Sequence, residues 1–81
     1  MLTELQTDSK LVGLKQSLRA VESGKVKKVF LAMDSDDKVQ IPIRKASEKA
    51  NVEIEEVPTM AELGNACGIN IGSSVAVILC D

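Results

Sequence analysis

Val29, Phe30, Leu31, Ala32 and Met33 form an unbroken apolar run between the charged stretches KVKK (25–28) and DSDD (34–37). A run this short, rich in strand formers and without polar alternation, predicts a strand buried on both faces. Such a strand needs a layer on each side. The chain's 81 residues are enough for one core of that kind and too few for two, so a single domain over 1–81 is expected. The same run is far too short to cross a bilayer, and no membrane span is expected.

The flanking segments supply the layers. Leu11, Leu14, Leu18 and Val21 recur at helical steps, and Gly24 stands where a helix stops. Val39, Ile43, Ala46 and Ala50 give a second helical stripe, which requires Pro42 to lie in the first turn or at a kink. Asn51 fits a left-handed stop, VEIEEV (52–57) alternates as a strand does, and Pro58 closes it. Thr59 and Glu62 have the spacing of a capping box for a short helix ending at Cys67 or Gly68. The last apolar run, Ser74 to Cys80, predicts a third core strand. Strands alternating with helices predict a three-layer α/β/α sandwich around a small, mostly parallel or mixed sheet.

Composition removes several chemistries. The chain has no histidine, which excludes Ser–His and Cys–His catalysis in their usual form. Cys67 and Cys80 make no CxxC and have no imidazole partner, which argues against zinc. Both sit in apolar contexts, as reduced and buried thiols of a reducing compartment would. DSDDKV begins like a calcium loop, but Val39 and Lys45 stand where that loop needs glycine and glutamate. The segment reads as a turn with solvated charges. Gly64, Gly68 and Gly72 match neither the dinucleotide fingerprint nor the P-loop; Gly64 suits close helix packing and Gly68 a helix cap. No catalytic residue, metal or cofactor is expected. MLTELQTDSK carries early acidic residues and no apolar h-region, so it is not a secretory signal, and a cytoplasmic location is expected.

The net charge of −2 conceals an asymmetry: residues 1–30 hold six Lys or Arg against three acidic residues, and residues 31–81 hold four against nine. Local field governs where an anion docks. Within the basic half, Lys15, Gln16 and Arg19 lie at steps of three and four and share one face of the first helix, away from its leucines. Lys15 and Gln16 fall in or near the first turn, where backbone N–H groups and the helix dipole attract anions. Gly13 lets a ligand approach the backbone. Pairing of Arg19 with Glu22 would instead leave an ordinary solvated face. Phe30, the sole aromatic, is inside the predicted strand, so no aromatic stacking platform can form. A base splayed from its stack would need an aliphatic shelf, which Ile69 and Ile71 of the loop GINIGSS would provide unless they tuck into the core.

GLKQSLRAVESGKVKKVFLAMD, followed by VPTMAELGNACGI and a loop of small residues, resembles the kink-turn-binding ribosomal-protein family of the L-seven-Ae and L-thirty-e type. The likeness runs from about Asp8 to Leu79 and is nearest to the small bacterial members. It implies an α/β/α sandwich and a monomer that binds a kink-turn, an RNA internal loop with tandem G·A pairs and a flipped-out nucleotide, with the ribosome as a further partner. The resemblance carries the tip of the RNA-reading helix onto Lys15, Gln16 and Arg19 beside Gly13. Lys15 and Gln16 depart from the archaeal Asn and Glu and match the variant of the L-thirty-e and bacterial branches. It also carries the loop that covers the flipped-out base onto Ile69, Asn70, Ile71 and Gly72, and a position near the RNA backbone onto Lys27. The rival class is a protein-interaction module that docks on a ribonucleoprotein through its acidic half.

Overall fold

The apolar run lies at the centre of a mixed sheet. The computed structural model describes residues 9–69 and 71–80. The elements follow as β1 (Lys10–Val12), α1 (Leu14–Glu22), β2 (Val26–Ala32), α2 (Asp37–Ala50), β3 (Glu53–Val57), α3 (Met60–Ala66) and β4 (Val75–Leu79). The strand order is β1-β4-β2-β3; β2 and β3 are parallel, and β4 is antiparallel to both of its neighbours.

Both faces of β2 are covered. Val29 and Leu31 join Val75 and Val77 of β4 against Ala20 and Val21 of α1 and Ile43 of α2. Phe30 and Ala32 turn the other way and join Ala76, Val57 and, from α3, Leu63. The strand's pleat therefore assigns α1 and α2 to one layer and α3 to the other, giving the expected three-layer sandwich. Phe30 and Leu31 have no exposed surface, and burial of each contributes about 1.5–3 kcal/mol.

All three helices stop by the same device. Gly24, Asn51 and Gly68 have φ of 72°, 58° and 80°, and each turn is closed by paired backbone hydrogen bonds. For α1 these run from Gly24 N–H to the Val21 carbonyl and from Lys25 N–H to the Ala20 carbonyl. Thr59 caps α3 by accepting the Glu62 N–H at 3.1 Å, half of the expected capping box.

Two expectations are corrected and a third is narrowed. Leu11 is not in the first helix but in β1, paired with Val77. It still packs on the same core cluster as Leu14 and Leu18, so helical spacing persists across a strand–glycine–helix junction. With β1 the sheet has a fourth strand, whose three residues are too few to display an alternation. Of the two expected places for Pro42, the first turn is ruled out: it is the sixth residue of α2, which already begins at Asp37. The thiols differ from one another: Cys67 is buried, which pushes its pKa up, whereas Cys80 is exposed.

Ser17 of α1 and Ser47 of α2 are fully buried, and neither hydroxyl has a hydrogen-bond partner among the described residues. A buried orphan hydroxyl is unfavourable, while its small volume suits two closely packed helices. Replacing Ser47 by alanine is expected to hold or raise stability, by up to about 1 kcal/mol, in a thermal melt. A comparable loss would mean that the hydroxyl is bonded after all.

On the α3 face, Lys28 Nζ lies 2.8 Å from Glu55 Oε1. The hydrogen bond from Lys28, helped by its charge and opposed by burial, holds the Glu55 carboxyl below its ordinary value of 4.5. A lowered folded-state pKa contributes stability above the unfolded value, lost as pH falls through the folded one. Glu55→Gln should therefore flatten the stability decline below about pH 5, measured by denaturant titration at several pH values. An unchanged slope would show that the pair contributes nothing.

Candidate nucleic-acid interface

α1 starts at one end of the sheet for a reason visible in Gly13. Its φ of 106° and ψ of 155° belong to backbone that L side chains rarely adopt. This turn lets Gly13 N–H donate to the Val75 carbonyl at 3.0 Å, which ties the helix start to the start of β4. No side chain caps the helix there. Lys15 and Gln16 are the second and third helical residues, so both lie in the first turn as expected. They and Arg19 are exposed and line one groove of about 450 Å³. Arg19 does not pair with Glu22, which faces a separate groove beside Lys49 of α2.

The loop after α3 returns to the same end. Ala32 N–H, at the end of β2, donates to the Ser74 carbonyl at 2.9 Å, and Ser73 N–H donates to the Met60 carbonyl at 3.0 Å. Ser73 Oγ also donates to the Val75 carbonyl, the acceptor shared with Gly13. Asp34 Oδ1, just past β2, accepts Met60 N–H at 2.8 Å. The first residue of α3 thus joins the end of the central strand to the loop. Gly64 completes the seat: a Cβ there would collide with the Ile71 carbonyl oxygen. Its expected role in close packing holds, with the loop backbone as the packed partner instead of a second helix.

Ile71 stands out from this loop, 75% exposed, and Gly72 is exposed beside it. Ile69 behaves differently. It packs on the cluster of Phe30, Leu63 and Cys67, so the two-isoleucine shelf is corrected to Ile71 alone. Asn70 lies outside the described residues.

Lys27, expected near an RNA backbone, is exposed and stands apart from the start of α1. It is the extra residue of a β-bulge between the pairs Val26–Leu79 and Lys28–Ile78. This is the end of β2 where α1 finishes, about 13 Å along the strand from Leu31. The groove adds residues that sequence spacing missed, Lys25 and Leu11 among them. The available signal for Lys25 was its place directly after Gly24, where the closing turn of a helix directs the chain.

Residues 2–81 match the profile of the ribosomal protein L7Ae/L30e/S12e/Gadd45 family. The chain belongs to that family. An RNA-binding protein of Geobacillus sp. strain WCH70 is 36% identical over 75 residues, covering 93% of this chain and 92% of its own. The large ribosomal subunit protein eL8 of Halobacterium salinarum is 31% identical over 74 residues, 90% of this chain and 62% of that one. Among solved structures, the Giardia lamblia 15.5kD RNA binding protein superposes with a TM-score of 0.82 at 25% identity, over 99% of this chain and 69% of its own. Within this family fold the two isoleucines are separable by experiment. Ile69→Ser is expected to cost about 1–3 kcal/mol for burying a polar group in an apolar site, whereas Ile71→Ser should leave the melting temperature within error. Equal losses would place both side chains in the core.

Proposed function

We propose that the chain is a non-catalytic RNA-binding protein that recognises a kink-turn. The observation that carries this reading is the convergence of two unlike surfaces at one end of the sheet. Lys15 and Gln16 project from the first turn of α1, and Ile71 projects from a loop bonded to the same strand start. Cations, an amide and an aliphatic shelf are the three contacts that a bent RNA with an extruded base requires. The likeness to the Geobacillus and Giardia RNA-binding proteins supports RNA as the ligand class.

Each residue has a distinct part. Lys15 and Arg19 attract phosphates, which position the RNA without reading it. The Gln16 side chain offers a donor and an acceptor to a guanine edge of the G·A pairs. Ile71 covers the flipped-out base, and Gly72 keeps the loop free of obstructing side chains. Lys27, at the other end of β2, takes no part in reading the bend. The same reading makes the chain a monomeric partner of cytoplasmic RNA, ribosomal RNA included.

Gln16→Ala separates reading from attraction because glutamine carries no charge. Affinities of wild type and variant are to be measured in one buffer for a kink-turn RNA and for the same RNA with its G·A pairs replaced. The variant should lose about 1–3 kcal/mol of discrimination between them, with its circular dichroism unchanged. A ratio of affinities equal to that of wild type would remove Gln16 from the reading surface.

A further inference from the structure

The groove that holds Lys15, Gln16 and Arg19 does not end at the tip of α1. It continues along the helix, past Ala20, to Lys25, with Leu11 of β1 as its apolar wall. From Lys15 to Ser23 the helix rises about 12 Å, so the groove is a channel with a direction. Its cations stand at the start (Lys15), the middle (Arg19) and the far end (Lys25), and no carboxylate lines it among the described residues. The nearest acidic residue of the helix, Glu22, faces the other groove.

Lys25 is not a loose surface lysine. Its backbone is held on both sides: its N–H donates to the Ala20 carbonyl at 3.1 Å, and its carbonyl accepts Cys80 N–H at 2.7 Å. The side chain therefore leaves from a point tied both to the end of α1 and to the end of β4, and it is exposed. Ser23, which also lines the groove, has its hydroxyl hydrogen committed to the Arg19 carbonyl at 2.9 Å. Among the described residues that line the groove, Lys25 is the cation at its lower end.

We infer that this groove is a track for the sugar-phosphate backbone of the bound RNA, leading from the reading end to Lys25, which anchors the strand as it leaves the kink. The inference rests on the RNA-binding reading above and adds to it a contact that carries no sequence information.

The test uses Lys25→Glu and Lys25→Ala in the full chain, with Lys45→Glu, an exposed cation of α2 outside the groove, as the control for net charge. Binding to the kink-turn RNA and to its G·A-substituted control is measured between 50 and 200 mM salt. Loss of one phosphate contact lowers the salt slope by roughly 0.7–0.9 and, by that slope, weakens binding about five- to eightfold at 0.1 M salt. Lys25→Ala should show this loss on both RNAs, leaving their ratio unchanged, and Lys25→Glu should lose more than Lys45→Glu. If wild type discriminates between the RNAs while Lys25→Ala keeps its affinity and slope, the track is overturned and the reading end stands. If wild type discriminates nothing yet Lys25→Ala still weakens binding, the track stands and the kink-turn reading falls. Equal effects of Lys25→Glu and Lys45→Glu would reduce the groove to part of a diffuse field and overturn the inference.

Discussion

The burial of β2 on both faces is the constraint on which the rest of the molecule depends. Val29, Phe30, Leu31 and Ala32 are all completely inaccessible, and neither of their faces can be left to water. In a chain of 81 residues this demand consumes every helix: α1 and α2 cover one side and α3 the other. Because successive side chains of a strand point in opposite directions, the division of labour among the helices is decided residue by residue along one short run.

The same strand also determines where the candidate interface forms. Its last residue, Ala32, holds the loop after α3 by a backbone hydrogen bond, and the carboxylate of Asp34, two residues on, accepts the N–H of that helix's first residue. β4, its antiparallel neighbour, receives Gly13 and thereby the start of α1. The lysine, the glutamine and the isoleucine that converge there come from segments far apart in the chain. They meet because two turns share acceptors on one strand start.

Most of this architecture was legible in the sequence wherever a pattern ran long enough to repeat. The two apolar stripes, the continuous strand and the three left-handed stops at Gly24, Asn51 and Gly68 express local preferences that tertiary packing left intact. β1 was hidden because Leu11 serves the same core from a strand as it would have from a helix. Pro42 left the start of α2 open because a proline often marks a helix start, whereas here Asp36 and Asp37 begin the helix earlier. At the site, the shared face of Lys15, Gln16 and Arg19 followed from helix geometry alone. The unequal fates of Ile69 and Ile71 did not, since they depend on how α3 ends and on a glycine seat at position 64 that only the folded chain defines.

β3 lies at the margin of the sheet and spells Glu53, Ile54, Glu55, Glu56, Val57. A margin of this kind offers unpaired backbone groups to any other extended chain. Glutamates on both faces make that offer hard to accept, because a second copy aligned there would bring its own carboxylates alongside. A third of the acidic residues of the 31–81 half thus stand on one sheet edge, where their like charges oppose pairing with a second copy of the same strand. The edge is thus guarded by residues that lie outside the candidate interface.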